Sequence, residues 1–227
     1  MDTPNSETNM EKPLVVIVQG SPRPDGNCAR LAVEALTMLE SADIEAVIVS
    51  AGALMEESTP CNGCMLCLES GDCIHDDGVE LFIDMLDASS GLLWITPVYF
   101  STLPGQLKEL VDRLQVFWAR RQRGEALTFG QRRPALSLIV GSGFDPFGTE
   151  AVSIPLKSVS NIAEFTLAEP TVLSGLDEID ALMQDANADK LACAKKALQA
   201  FSSAVHDWHG QFGNGPERFG LFVDEAE

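Results

Sequence analysis

The sequence predicts an α/β fold in three layers around a five-stranded parallel sheet, and two observations carry that prediction. Five short apolar runs, rich in β-branched residues, alternate with segments whose apolar residues recur at helical spacing. The runs are apolar throughout, as strands covered on both faces are, so helices must pack on either side of them. Such alternation implies right-handed crossovers between parallel strands. At 227 residues and 45% hydrophobic content, the chain is sized to bury one such core as a single domain.

Residues 1–12 are polar and read as a disordered N-terminus. Leu14–Val18 is the first strand, and Gln19–Asn27, dense in Gly and Pro, is a loop. A helix follows over Ala29–Glu40, with Leu31, Ala32, Ala35, Leu36 and Leu39 on its apolar side. Ile44–Val49 is the second strand, with a cysteine-rich loop over 59–75 directly behind it. Asp76 and Asp77 mark an acidic helix start, and Val79, Leu81, Phe82, Met85 and Leu86 form its apolar face. Gly91–Thr96 is the third strand, holding Trp94 as a core residue and ending at Pro97. Gln106–Val116 reads as one helix, and Pro134–Val140 as a fourth strand stopped by Gly141, Ser142 and Gly143. A helix within 149–161, a strand over Phe165–Leu173 and a last helix over Ala188–Val205 complete the pattern. The domain is expected over 13–209, with 210–227 as a surface tail.

A formal charge of −19 argues against a nucleic-acid partner, which needs basic surface, and against anionic membrane lipid. The longest apolar runs are about a quarter of a membrane span, so no membrane association is expected. The opening residues, MDTPNSETNMEKP, hold no apolar signal region, which predicts a cytoplasmic protein. Clustered cysteines in that compartment point to metal or redox chemistry, not to structural disulfides. Five basic residues stand close together: Arg120, Arg121, Arg123, Arg132 and Arg133. They read as a solvated loop offsetting nearby acid, or as a docking patch for an anionic cofactor or an acidic electron-transfer protein.

Cys61, Cys64, Cys67 and Cys73 form a C-x2-C-x2-C-x5-C run. Four thiolates on so short a loop suit a [4Fe–4S] cube, which offers one iron to each cysteine. A structural zinc usually takes two separated Cys-x-x-Cys knuckles, whereas here the two steps share Cys64. Zinc and unmetallated thiols remain the alternatives. The flanking His75 reads as an exposed loop residue, and His206 and His209 show no ligand pattern.

The loop after the first strand, Gly20 to Cys28, lacks both the dinucleotide G-x-G-x-x-G spacing and the triphosphate G-x-x-x-x-G-K-[ST] motif. Ser21, Arg23 and Asn27 instead bring hydroxyl, guanidinium and amide donors to a helix N-terminus, the groups that hold a phosphate monoester. The simpler alternative is an ordinary Gly/Pro turn.

The chain resembles the flavodoxin-like NAD(P)H-dependent FMN reductase family, and within it the iron–sulfur flavoprotein branch. The likeness rests on Gly20-Ser-Pro-Arg-Pro-Asp-Gly-Asn27, the cysteine run, Asp76-Asp77, Pro97-Val-Tyr-Phe100 and Gln106-Leu-Lys-Glu-Leu-Val-Asp-Arg113, in that order over about residues 13 to 175. The resemblance implies FMN, with Ser21, Arg23, Asn27 and Cys28 at its phosphate. It places Pro97, Val98, Tyr99 and Phe100 along the ring, with Gly141, Ser142 and Gly143 closing the site. It also implies a [4Fe–4S] cluster on the four cysteines, NAD(P)H or a ferredoxin-type protein as donor, and a homo-oligomer, dimer or tetramer. Cys28 departs from the family's usual Thr or Ser, so it is either a passive replacement or a redox thiol at a helix N-terminus. No catalytic side chain is expected, because hydride and electron chemistry belong to the cofactor. The implied function is an FMN-dependent electron-transfer oxidoreductase. The alternatives are a plain FMN or quinone reductase with an empty cysteine loop, and a non-catalytic metal- or thiol-sensing binding protein.

Overall fold

The computed structural model describes residues 12–125, 129–141, 143, 147–176 and 178–213. Residues 1–11, Ser142 and the tail from 214 onward lie outside them, so the expected N-terminal disorder and the end of the tail do too. The strands are β1 (Leu14–Gln19), β2 (Glu45–Ser50), β3 (Gly91–Pro97), β4 (Arg133–Gly141), β5 (Phe165–Leu167) and β6 (Thr171–Ser174). All pair in parallel in the order β2-β1-β3-β4-β5, with β6 also on β4. This 2-1-3-4-5 order is the flavodoxin-like arrangement, whose chain reverses direction across the sheet between β1 and β3.

Alternate strand residues feed two cores, as a strand's two-residue period requires. Val16, Val18, Leu92 and Trp94 face one helical layer, and Val15, Ile17, Leu93 and Ile95 face the other. The second layer holds α1 (Asn27–Ser41) and α8 (Ala188–Phe212). The first holds α2 (Ala51–Glu56), α4 (Gly78–Ala88), α5 (Gly105–Arg113), α6 (Gln115–Gln122) and α7 (Gly148–Ile162). The short helix α3 (Cys67–Ser70) belongs to the cysteine segment.

Several expectations change in detail. The fifth strand is two strands, divided at 168–170, where Pro170 has no N–H to give the ladder. The cysteine segment does not follow β2 directly, because Ser50 caps α2 by accepting from the Ala53 amide. The helix expected over Gln106–Val116 divides into α5 and α6 at Leu114. On α4 the buried set is Val79, Phe82, Ile83 and Leu86, an i, i+3, i+4, i+7 stripe that leaves Leu81 exposed. The last helix runs past Gly210 to Phe212, where Trp208 packs against Phe212 and Phe129. Trp94 is core as expected, with its Nε1 donating to Ser160 Oγ at 3.0 Å.

Candidate functional site

Because every strand is parallel, the loops after β1, β3 and β4 all emerge at one edge of the sheet. Gly20 begins the first, and its amide donates to Ile95 O at 2.8 Å. A Cβ there would stand 2.5 Å from Leu107 Cδ2 and 3.1 Å from Thr96 Oγ1, so any larger residue must displace the buried Leu107 side chain. Ser21 is buried and its Oγ accepts from the Arg23 amide at 3.1 Å. Arg23 is exposed and makes no side-chain bond among the described residues. The N-terminus of α1 has no side-chain cap, which leaves its first amides without intrahelical acceptors.

Two expected phosphate contacts are directed elsewhere by their side chains. The Asn27 amide donates to Leu176 O and Glu178 O and accepts from the Leu182 amide, strapping the segment after β6 to α1. The Cys28 thiol points into the core among α1 and strand residues, where burial pushes it up to about 12. A buried thiol in apolar surroundings favours the passive replacement over the redox thiol. Both residues keep only backbone N–H groups for the loop.

Pro97, Val98 and Tyr99 are half-buried, Phe100 is wholly exposed, and Phe100 and Ser101 both take positive φ, 48° and 56°. Two such non-glycine residues in succession mark a strained loop. The Val98 amide donates to Val140 O, and Gly141 lies against Val98. Gly143 takes φ 88° beside Ser174. The loops after β3 and β4 and the end of β6 therefore meet.

The cysteine segment is built differently. Cys61 and Cys64 are exposed, Cys73 is half-buried and Cys67 is buried, all as free thiols. No three metal-ligating side chains among the described residues are already drawn round one ion position. Yet all four cysteines line one small cavity, with Arg113 and His75 in its wall. Burial pushes the Cys67 thiol up, a backbone hydrogen bond works against this, and the neighbouring Cys64, Cys73 and Cys61 add to the rise. His75, expected as an exposed loop residue, is half-buried, and its Nε2 is covered without a partner.

Arginines from α5 and α6 fasten the segment, a role the sequence reading missed. Arg113 is fully buried, forks onto both oxygens of Asp77 at 2.7 and 3.0 Å, and donates to Thr59 O at 2.5 Å. Arg120 donates to Gly71 O and pairs with Asp72 and Asp87. Arg123 donates to Leu68 O and Glu69 O and pairs with Glu125. Gly71 ends α3 at φ 88°, a left-handed position that favours glycine. The signal for Arg113 was a charge on the apolar stripe of its helix, three residues after Leu110 and six after Leu107.

The solvated-loop reading of the arginine group fails most clearly at Arg133. Its guanidinium is buried, donates to Leu86 O, Ser89 O and Ala163 O, and stacks on Phe165. Arg132 donates to Asn161 O. A docking patch would need these groups facing outward, and four of the five are bonded inward.

A parallel α/β sheet of this order, with a glycine-bounded loop opposite a helix N-terminus, defines a flavodoxin-like domain. The chain belongs to the NADPH-dependent FMN reductase family, whose description matches residues 13–175. Among its relatives, an iron–sulfur flavoprotein of Methanocaldococcus jannaschii is 36% identical over 123 residues, 52% of this chain and 63% of that one. An iron–sulfur flavoprotein of Clostridioides difficile is 26% identical over 87% of this chain and 98% of its own. This chain thus spans under two thirds of the archaeal relative's length. An azoreductase from Bacillus anthracis shares the fold at TM-score 0.57 and 15% identity, covering 84% of this chain and 99% of its own. No helix among the described residues is long and apolar enough to cross a membrane.

Proposed function

We propose that the chain is an FMN-dependent oxidoreductase that relays electrons between FMN and a [4Fe–4S] cluster held by Cys61, Cys64, Cys67 and Cys73. The observation that carries this is the shared cavity: four free thiols line it, with an unsatisfied buried guanidinium nitrogen in the wall. Iron–sulfur flavoprotein relatives and the family membership support both cofactors. When bound, FMN would take up hydride from a reduced nicotinamide or electrons from a ferredoxin-type protein, and the cluster would carry single electrons.

The residues divide the work by position. Ser21, Arg23 and the open amides of α1 would receive the FMN phosphate, with the exposed Arg23 supplying positive charge. Pro97 to Phe100 would border the ring, with Gly141 to Gly143 close beside them. Helix α5 starts just beyond the ring loop and ends at Arg113 in the cysteine cavity, and nine helical residues span roughly 12 Å. A cytoplasmic homo-oligomer completes the reading.

The test is anaerobic purification with iron, acid-labile sulfide and FMN measured per chain. About four iron, four sulfide and one FMN are expected, and replacing the four cysteines with serine should remove the iron and leave FMN. FMN without iron would reduce the protein to a plain flavin reductase, one zinc would make the segment structural, and no FMN would overturn the reading.

A further inference from the structure

The wall of the cysteine cavity carries two polar atoms that nothing in the described structure satisfies. Arg113 Nε and His75 Nε2 are both buried and both lack a hydrogen-bond partner. Arg113 is fixed in place, since its terminal nitrogens are already engaged by Asp77 and Thr59. Cys73 lines the same cavity as Arg113. Native proteins rarely leave a buried N–H without an acceptor, because its lost hydration goes uncompensated. Both residues line the cavity that the four thiols line, and His75 donates there in the tautomer that carries its proton on Nε2.

We propose that Arg113 and His75 are positioning residues that donate N–H bonds to the sulfur atoms of a cluster on Cys61, Cys64, Cys67 and Cys73, and that the Arg113–Asp77 pair sets its reduction potential. This rests on the proposed function. The physical reason is charge: reduction adds an electron to a centre that is already anionic. A buried guanidinium against its sulfur favours the reduced form, and hydrogen bonds to cluster sulfur act in the same direction. The Asp77 carboxylate, behind the guanidinium, opposes it. Two neighbours therefore pull the potential in opposite directions through one fork of hydrogen bonds.

The opposite signs make the inference testable on the full-length protein, by EPR-monitored redox titration alongside iron and sulfide content. Asp77→Asn keeps the size and, through Oδ1, the cap on the Val79 amide, while its Nδ2 gives up the bonds from the Thr59 amide and Arg113 Nη1. It should make cluster reduction about tenfold more favourable, a rise of about 59 mV for one electron. Arg113→Gln should make it about tenfold less favourable, and His75→Phe should shift it the same way by less. If Arg113→Gln fails to fold, Asp77→Asn and His75→Phe still decide the matter. A pair with a merely structural role would shift both arms alike or neither. Full iron in every variant with unshifted potentials, or shifts of one sign, overturns this inference alone. Wild-type protein without iron overturns the proposed function and this inference with it.

Discussion

The loop after β1 and the cysteine segment after α2 are held by opposite means. The first is fixed from beneath by packing: Gly20 lies against Leu107, Cys28 faces the core, and the Asn27 amide joins α1 to residues 176–182. Arg23 is exposed on it, and the buried first turn of α1 has no side-chain cap. The second has little apolar support beyond Cys67, Leu68 and Cys73. It hangs on the buried Arg113–Asp77 pair and on guanidiniums reaching its carbonyls from α6. Packing is rigid and indifferent to charge. An ion-pair scaffold is sensitive to charge, and it lies where the charge of a bound centre would change.

The sharpest break in that comparison is expected at Arg113. Arg113→Met strands the Asp77 carboxylate and should cost about 3–5 kcal/mol, read from urea unfolding. The same pair should appear in the pH profile. Burial opposes ionisation of Asp77, but Arg113 and the Thr59 and Val79 amides hold it below the usual carboxylate value of 3.8. Its contribution is complete above that value and is lost as pH falls through the lowered one. Asp77→Asn should flatten the stability slope below about pH 4, and an unchanged slope would show that the pair does not stabilise the fold.

Effects on the packed side should be smaller and independent of pH. Asn27→Ala takes the bonds from the Leu182 amide and Leu176 O, while Glu178 O keeps the Ala181 amide, at about 1–3 kcal/mol. Its FMN affinity, read by fluorescence quenching, should fall only as far as α1 is displaced. Gly20→Ala overpacks Leu107 and Thr96, at about 1–3 kcal/mol. The smallest effect concerns Cys28. In folded, metal-free protein, iodoacetamide near neutral pH should label Cys61 and Cys64 and spare Cys28, whose burial holds it as an unreactive thiol. Labelling of Cys28 at a comparable rate would remove its assignment to the core.

The sheet was legible because buried parallel strands and amphipathic helices write their burial directly into residue type. Leu14–Val18 and Gly91–Thr96 could be read in no other register. The division of the fifth strand was less visible, since Thr166 to Val172 keeps strand-like composition and only Pro170 interrupts it. At the site, residue type showed which donors were near the loop but not what engaged them. Asn27 is satisfied by residues about 150 positions away, and no local pattern records that distance. The arginines misled for the same reason: a charged residue reads as surface until its carboxylate or carbonyl partner is found across the fold.

The Thr59 amide donates to Asp77 Oδ2 at 3.1 Å, and Arg113 binds both residues, so the cysteine excursion leaves and rejoins the domain at one point. It is a cassette with a clasp at its base. Its apolar stake in the core is confined to Cys67, Leu68 and Cys73. A short turn joining its two ends should leave a stable flavodoxin-like domain, and the same clasp would accept a different metal-binding insert. A lineage could thus gain or shed a redox centre through one insertion point without rebuilding the domain that carries it.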